Sequence, residues 1–542
     1  MPTPHKFIRK GYFPKELPPS FKTTSLAQAL DPTVAGFPFP NASQKLPWKW
    51  MLNHSLARAS QVRRSLGVPN PITHWALAKE IADHWGILRS QARRSSLSRS
   101  LPTLRSTQGR AAVPAIPLAD VMFVRVNTRA RGRYLLRTDI AEFYRSVYTH
   151  SIPWALHSKA IAKAHVHDKT LLGNRIDAAV QASQYGQTNG IPIGPDTSLI
   201  LAEVILGAVD ETLQERIGPM NGYRHHDDYE LVFRTPRGAE EAKAVLQSVL
   251  LEYGLHLNAL KTELVELPTR TVSDWWLYVR QFSFETKGDE RPKIIEFFDE
   301  TFRRKALARD EYIVAYAIGR VEKEVWSARA WSVVQPLLHQ ALAAEPSAAH
   351  KFVRALVRAQ VENWPIDKEL LAATIDSMLT HHAPFGNASE VAWMLWASMM
   401  FKLPLSSEAS AAVSRMNDSF VAILALDAWK RGLADNLDPK LWASLMTSDE
   451  LDGEAWLLSY EARVRGWLPS VGVSDHVSAH PMFSYLANRN VRFYTRMRSA
   501  SRRTLVKLAE TDAASYSHTD DWSTLVDFDD EDEDNADLSA AF

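Results

Sequence analysis

The apolar positions of this chain change period repeatedly in its first half and hardly at all in its second. Between 46 and 100 they fall two to four residues apart, at His74, Trp75, Leu77, Ile81, Trp85 and Leu88, which predicts helix with one buried face. Short apolar runs replace that spacing over 115–143, where 121–126 and 134–140 read as strands; in the second, Tyr134, Leu135 and Leu136 lead to Asp139. Helical spacing resumes over 154–163 and 175–183. Residues 187–206 join a Gly- and Pro-rich loop to a strongly apolar helix, with Asp196, Thr197 or Ser198 as the expected N-cap. Residues 223–233, YRHHDDYELVF, read as a hairpin with Asp227 and Asp228 at its turn. An amphipathic helix is expected over 238–253, stopped by Gly254, and 255–267 resumes as extended chain. From about residue 295 the pattern is helical almost without break, and Trp326, Trp364, Trp393, Trp396, Trp429, Trp442, Trp456 and Trp467 recur through it.

This order places a small antiparallel sheet backed by helices in the first half, an α+β layer arrangement. The second half is either a bundle with a tryptophan core or a stack of degenerate helical pairs, and the recurrence favours the stack. Ahead of both, residues 1–45 are rich in Pro, Phe and Thr, so an extended arm is expected there. The SSLSRSLP stretch at 95–102 interrupts the helical pattern as a loop suited to phosphate contact. The expected division is an arm at 1–45, a mixed unit at 46–290, a helical-repeat-like unit at 291–509 and an acidic, disordered tail at 510–542.

Composition narrows the chemistry. With no cysteine among 542 residues, disulfides, thiolate-held zinc or iron–sulfur clusters and thiol nucleophiles are excluded. The N-terminus has no apolar signal core and no apolar run of about 18 residues occurs, so a cytoplasmic protein with no membrane span is expected. The net charge of +1 hides a division: the tail holds 12 of the 62 acids and no Lys or Arg. Residues 41–138 carry 17 Lys or Arg against the three acids Glu80, Asp83 and Asp120. A single-sign field of that density suits a phosphate backbone.

Asp227 and Asp228 are the candidate chemistry. Adjacent carboxylates repel unless a cation holds them, and a divalent metal is the usual answer, although an isolated pair is more often a solvated turn. If the end of the Asp139 strand lies beside the hairpin, three carboxylates can share two metal ions about 3.5–4 Å apart for displacement at phosphorus. His225 and His226 could instead bind zinc with the aspartates, or His226 and Asp227 could open a phosphohydrolase site.

These residues resemble the palm of a reverse transcriptase. Asp139 with Tyr144 five residues on is similar to the family's first motif. The 190–195 loop with Ser198 is similar to its second, HHDD at 225–228 to its Tyr-x-Asp-Asp, and Gly254, Leu255, Leu257, Asn258, Lys261 and Thr262 to Gly-Leu-x-Leu-Asn-x-x-Lys-Thr. The motifs stand in the family's order within 95–270. GYFPKELPPSF, SLSRSLP, YTHSIPWALHSK and the long helical C-terminus resemble, within it, the abortive-infection and unknown-group enzymes of bacterial anti-phage defence.

The resemblance implies fingers and palm at 46–290 and Mg²⁺-dependent DNA polymerisation, RNA-templated or template-independent. It implies two Mg²⁺ ions held by Asp139, Asp227, Asp228 and the Ile140 carbonyl, with Lys261 protonating the leaving pyrophosphate. Tyr144 would lie under the deoxyribose, Gly194 would admit the nascent base pair, and Arg99 and Arg110 would grip the triphosphate. Expected partners are dNTPs, RNA such as a dedicated non-coding RNA, a DNA product, a second defence protein and further copies in a homo- or hetero-oligomer. Two positions depart from the family: His225 replaces the usual Tyr beside the primer end and Ile193 a common Gln, which bears on templating more than on phosphoryl transfer. The competing expectation is a catalytically impaired nucleic-acid-binding assembly protein whose helical array is the working part.

Overall fold

The computed structural model describes residues 2–34, 37–59, 62–104, 110–500 and 526–528. They divide into two units. The described residues of 1–14, 26–51 and 67–271 form the first; those of 15–25 and 52–66 and from 272 onward form the second.

The first unit is built on a four-stranded antiparallel sheet. Its strands are β1 (Tyr134–Asp139), β2 (Asn221–His225), β3 (Asp228–Phe233) and β4 (Glu263–Glu266), in the order β2-β3-β1-β4. Leu135 and Leu136 of β1 are fully buried, and the β1–β3 register runs from Tyr134 opposite Phe233 to Asp139 opposite Asp228. A one-residue slip would carry the second carboxylate to the other face, so this register fixes the site. Three helices flank the sheet: α1 (Val121–Arg129), α2 (Asp196–Ile217) and α3 (Pro236–Glu252).

Where 121–126 reads as a strand, the structure has α1. The β-branched and aromatic run misleads because a tertiary ion pair decides: Arg125 and Arg129, four apart on one helical face, both reach Glu230 of β3, at 2.8 and 3.1 Å. Phe123 and Val126 consequently point to solvent. The helix α2 starts at Asp196, with Pro195 rather than a hydroxyl or carboxylate side chain at the cap position. Asp196 instead accepts from Arg110 Nε at 2.7 Å and from Ala112 N at 2.9 Å. The helix α3 is capped by Thr235 and followed by Gly254 at φ 76°.

Two further expectations change. The 46–100 stretch contains a hairpin, Leu52–Leu56 with Arg64–Val68, before its helices Pro71–Asp83 and Trp85–Ala92. Residues 1–45 contain the helices Pro4–Gly11 and Thr24–Ala29, the first burying Phe7 and Ile8 completely. Pro4 stands at the first helical position, where its missing N–H costs nothing, so the proline-rich composition did not forbid helix.

In the second unit, helices pack on their second neighbours. Arg291–Leu307 lies on Ala328–Ala344, Ile313–Glu322 on Ala349–Val361, Ala349–Val361 on Ala388–Phe401, and Ala388–Phe401 on Ser419–Lys430. That alternation is how stacked helical pairs bury a continuous core. The helix Asp274–Gln281 packs here, against Arg291–Leu307 and Ile313–Glu322. Trp326, Trp393, Trp396, Trp442 and Trp456 are buried. Two also tether the N-terminal segment: Trp393 Nε1 donates to the Glu16 carbonyl and Trp396 Nε1 to Ser20 Oγ, both at 3.0 Å. No described helix is long and apolar enough to cross a membrane. The acidic tail, apart from 526–528, lies outside the described residues.

Candidate active site

The β2–β3 turn is made by His226 and Asp227, since His225 and Asp228 are already paired across the strands. His226 takes a left-handed φ of 55°, uncommon for a side chain with a Cβ. The Ile140 N–H donates to the Asp227 carbonyl at 3.2 Å, holding the turn against the end of β1. Asp139, Asp227 and Asp228 thus converge from two adjoining strands.

Asp139 is only 5% exposed. Its Oδ2 is ion-paired with Lys261, while its Oδ1 is buried with no hydrogen-bond partner. Asp228 is solvent-exposed as a residue, yet partial desolvation and then the charges of Asp227 and Asp139 push its carboxyl up to about 6, against the opposing pull of Lys261 and Arg125. Since the residue stays open to water, repulsion from the two neighbouring carboxylates is the cause a cation would relieve.

Lys261 reaches Asp139 through a loop whose motif residues each have a local task. The Asn258 N–H donates to the Asp139 carbonyl at 2.9 Å, and Asn258 Oδ1 accepts from Leu260 N. Thr262 Oγ1 bonds Thr138 Oγ1 at 2.7 Å. The segment 255–267 is therefore extended only at its ends, with a 3₁₀ turn, Ala259–Lys261, between. The Lys261 side chain remains 63% exposed.

The glycine loop is tied to the segment after β1. Gly190 N donates to Val147 O at 2.7 Å, Ile191 N to Tyr144 O at 2.8 Å, and Thr149 N to Thr188 O at 2.8 Å. Tyr144 is half-buried, its backbone fixed by this pairing. Gly194 has φ 134°, and a Cβ there would stand 2.7 Å from Pro14 Cγ, so only glycine fits without displacement.

Among the described residues no three His, Asp or Glu side chains form a ready metal cage. The donors present nevertheless fit a hard divalent cation: two crowded carboxylates, one with an unpartnered buried oxygen, leave positions for phosphate oxygens and water as Mg²⁺ requires. Zinc fits less well, since His225 Nε2 lies 3.2 Å from the Ile116 carbonyl and its ring meets His226 edge-on.

Residues 76–289 match the family model described as reverse transcriptase (RNA-dependent DNA polymerase). They are a reverse transcriptase domain. That domain is the one of RNA-directed DNA polymerases, which are nucleotidyltransferases. No curated protein matches the sequence. Among solved structures, a telomerase from Candida albicans in complex with a TWJ fragment of telomeric RNA is similar at 12% identity, over 66% of this chain and 66% of that chain, with a TM-score of 0.29. The chain spans just under two thirds of that neighbour, a likeness too distant to bear on chemistry.

Three residues expected at the substrate of the reverse transcriptase domain are engaged by the protein itself. Arg99 Nη1 donates to the Ser96 and Ser98 carbonyls at 3.0 and 3.1 Å. Arg110 clamps Asp196, the Phe13 carbonyl and the Gly194 carbonyl, which fixes the glycine loop from behind. His225 is buried, and burial pulls its imidazole below the ordinary value, so it is a neutral packed side chain.

Ser95, Ser98 and Ser100 also turn inward. Ser98 and Ser100 donate to Glu203 at 2.7 Å each and Ser95 to Asp210 at 2.5 Å, both acids lying on α2. Arg224 of β2, wholly buried, closes the network: its guanidinium meets Glu203 and Asp210 at 2.8 Å and donates to the His226 carbonyl at 2.8 Å. Ser100 Oγ accepts the His226 N–H at 2.7 Å, and Tyr229 Oη donates to Asp210 at 2.7 Å. Burial alone would raise Glu203, but the Arg224 charge and the serine hydroxyls hold it below the usual carboxylate range. The carboxylate-bearing turn is thereby bolted to α2. A signal existed in the sequence: Glu203 and Asp210 stand seven apart inside an apolar helix, a spacing that puts two acids on one buried face.

Next to the glycine loop, His150 Nδ1 lies 2.5 Å from Asp177 Oδ2. That hydrogen bond, opposed by desolvation, raises the imidazole above its ordinary 6.5. A raised folded value means stability present in full below pH 6.5 and lost as the pH climbs through the folded value. The melting-temperature difference between wild type and Asp177→Asn is expected to be largest in mild acid and to shrink in alkali. A pH-independent remainder reflects the Gln181–Asp177 bond. A difference that is flat with pH would remove the ion pair from the account.

Proposed function

We propose that the protein is an Mg²⁺-dependent DNA polymerase of anti-phage defence, adding dNTPs to a 3′-hydroxyl. The observation that carries the chemistry is Asp139 opposite Asp228 in register, with one Asp139 oxygen buried and unpartnered. Asp139, Asp227 and Asp228, with the Ile140 carbonyl, would hold the ions. Such ions supply a lowered pKa at the attacking hydroxyl and neutralise the triphosphate. The hydroxyl oxygen bonds to the α-phosphorus as the bond to pyrophosphate breaks. Lys261, exposed and cationic at the edge of the cluster, serves the departing pyrophosphate as proton donor. Tyr144 and Gly194 line the nucleotide; the engagement of Arg99 and Arg110 by carbonyls and Asp196 leaves the triphosphate grip to other basic residues of 41–138.

The defence assignment rests on GYFPKELPPSF, SLSRSLP, YTHSIPWALHSK and the helical C-terminal unit, which resemble the abortive-infection and unknown-group enzymes. In that setting the protein works in the cytoplasm with a dedicated RNA, a DNA product and a second defence protein or further copies of itself. Purified protein is to be incubated with labelled dNTPs and Mg²⁺, with and without an RNA template and primer, beside Asp227→Ala/Asp228→Ala. Incorporation by wild type alone is the expected result. Equal and negligible incorporation by both, with bound RNA retained, would replace the polymerase by the assembly protein. Loss of phage protection in cells carrying the double variant tests the defence assignment separately.

A further inference from the structure

The first unit carries an aromatic cluster that the carboxylate centre does not use. Trp48 and Tyr185 are 62% and 46% exposed, unusual for rings of that size. Tyr185 stacks on Trp50 with ring centres 4.3 Å apart and planes 8° from parallel, and meets Trp48 edge-on at 6.1 Å.

The cluster is rigidly built. Lys49 N donates to Ala182 O at 2.9 Å and Tyr185 N to Lys49 O at 3.0 Å, joining the Trp48–Trp50 segment to the end of the helix Leu172–Ala182. Tyr185 is held at φ 55°, a left-handed conformation uncommon for a side chain with a Cβ. A Cβ on Gly186 would lie 3.0 Å from Trp48 Cε2 and Cζ2 and 3.1 Å from Cδ2. Near-equal distances to three ring atoms put the glycine backbone over one indole face. Trp48 stays exposed with that contact in place. Gln184 Nε2 donates to the Gln187 and Gly190 carbonyls at 2.7 and 3.1 Å, so the turn that carries Tyr185 is hydrogen-bonded to the glycine loop.

Charge indicates the occupant. Between Asp31 and Glu80 the chain has no acid, and residues 178–195 carry no charge at all. Lys45, exposed, stands three residues before Trp48, and Lys169, also exposed, donates through Nζ to the Gln44 carbonyl at 2.7 Å, whereas Lys49 is buried. A flat indole backed on one side, with exposed lysines at 45 and 169 and no acid in its own segment, matches the two faces of an unpaired nucleotide: a base that stacks and a phosphate that is attracted.

We infer that Trp48, supported by Tyr185, Trp50 and Gly186, is a stacking platform for an unpaired base of single-stranded RNA leading to or from the glycine loop. The placement of that RNA rests on the polymerase reading; the stacking does not. The test is fluorescence anisotropy of a short labelled single-stranded RNA with the full chain, comparing wild type, Trp48→Ala, Trp48→Phe and Asp227→Ala/Asp228→Ala. Trp48→Ala is expected to weaken binding roughly tenfold with an unchanged salt slope, because stacking rather than ion release is lost. Trp48→Phe should retain most of the affinity, and the aspartate variant should bind as wild type. Unchanged affinity in Trp48→Ala, or a loss of self-association in sedimentation without loss of RNA binding, overturns the proposal. Failure of dNTP incorporation with this pattern intact would sink the polymerase reading and leave the platform standing.

Discussion

Asp139→Asn is expected to lower dNTP incorporation about a thousandfold, on the scale of losing a preorganised group at a reacting centre, while Asp228→Asn should lower it less and make the metal-free protein more stable. The two aspartates face each other across β1 and β3 but differ in environment. Asp139 is buried, paired with Lys261 through one oxygen and unpartnered at the other, so its amide would present a donor where an acceptor is required. Asp228 is open to solvent and crowded by Asp227 and Asp139, with its carboxyl pushed up to about 6. A folded value above the ordinary 3.8 means that ionisation works against folding, so the stability present at lower pH is lost as pH rises through about 6. In chelator, Asp228→Asn should therefore melt higher than wild type at alkaline pH and no higher in acid. Mg²⁺ should close the gap by stabilising wild type more. Thermal melts with chelator and with Mg²⁺ check this; a variant that melts lower than wild type at alkaline pH contradicts the repulsion. The opposed effects on stability and activity are what a site built around a cation predicts.

How much of this was legible in the sequence depended on whether a residue's partner was local. The β1 strand, the hairpin and α3 follow from period, turn chemistry and capping within a few residues, and each is in place. The helix α1 does not, because Arg125 and Arg129 answer to Glu230, a hundred positions away, and nothing near them in sequence says so. The same holds for function. Asp139, Asp227 and Lys261 stood out through motif order, and the structure brings all three together. Ser98, Arg99 and Arg110 looked like phosphate ligands because Ser and Arg serve phosphate and buried carboxylate equally well. Glu203, which claims Ser98, and Asp196, which claims Arg110, lie in a helix whose apolar neighbours disguise its polar face, while Arg99 turns back on the Ser96 and Ser98 carbonyls.

Arg224→Met is expected to cost about 3–5 kcal/mol of stability, because it leaves Glu203 and Asp210 as uncompensated buried charges. That variant alone would not separate folding from function. Replacing the acids as well, in Arg224→Met/Glu203→Gln/Asp210→Asn, removes the unpaired charges and keeps acceptors for Ser98 and Ser100, so the melting temperature should largely return. Incorporation should not return with it. The guanidinium also donates to the His226 carbonyl, and His226, at φ 55°, fixes the direction in which Asp227 leaves the turn. Arg224 is on this account a positioning residue. Its loss should lower kcat while leaving the KM for dNTP nearly unchanged, since the groups that contact the nucleotide are elsewhere. Arg224→Lys retains the charge but not the planar fork that spans two acids and a carbonyl, and should fall between wild type and the triple variant in kcat. Recovery of kcat together with melting temperature in the triple variant would make the network a folding element alone. A persistent kcat deficit in a protein of restored stability ties α2, through one buried arginine, to the geometry of the carboxylate turn.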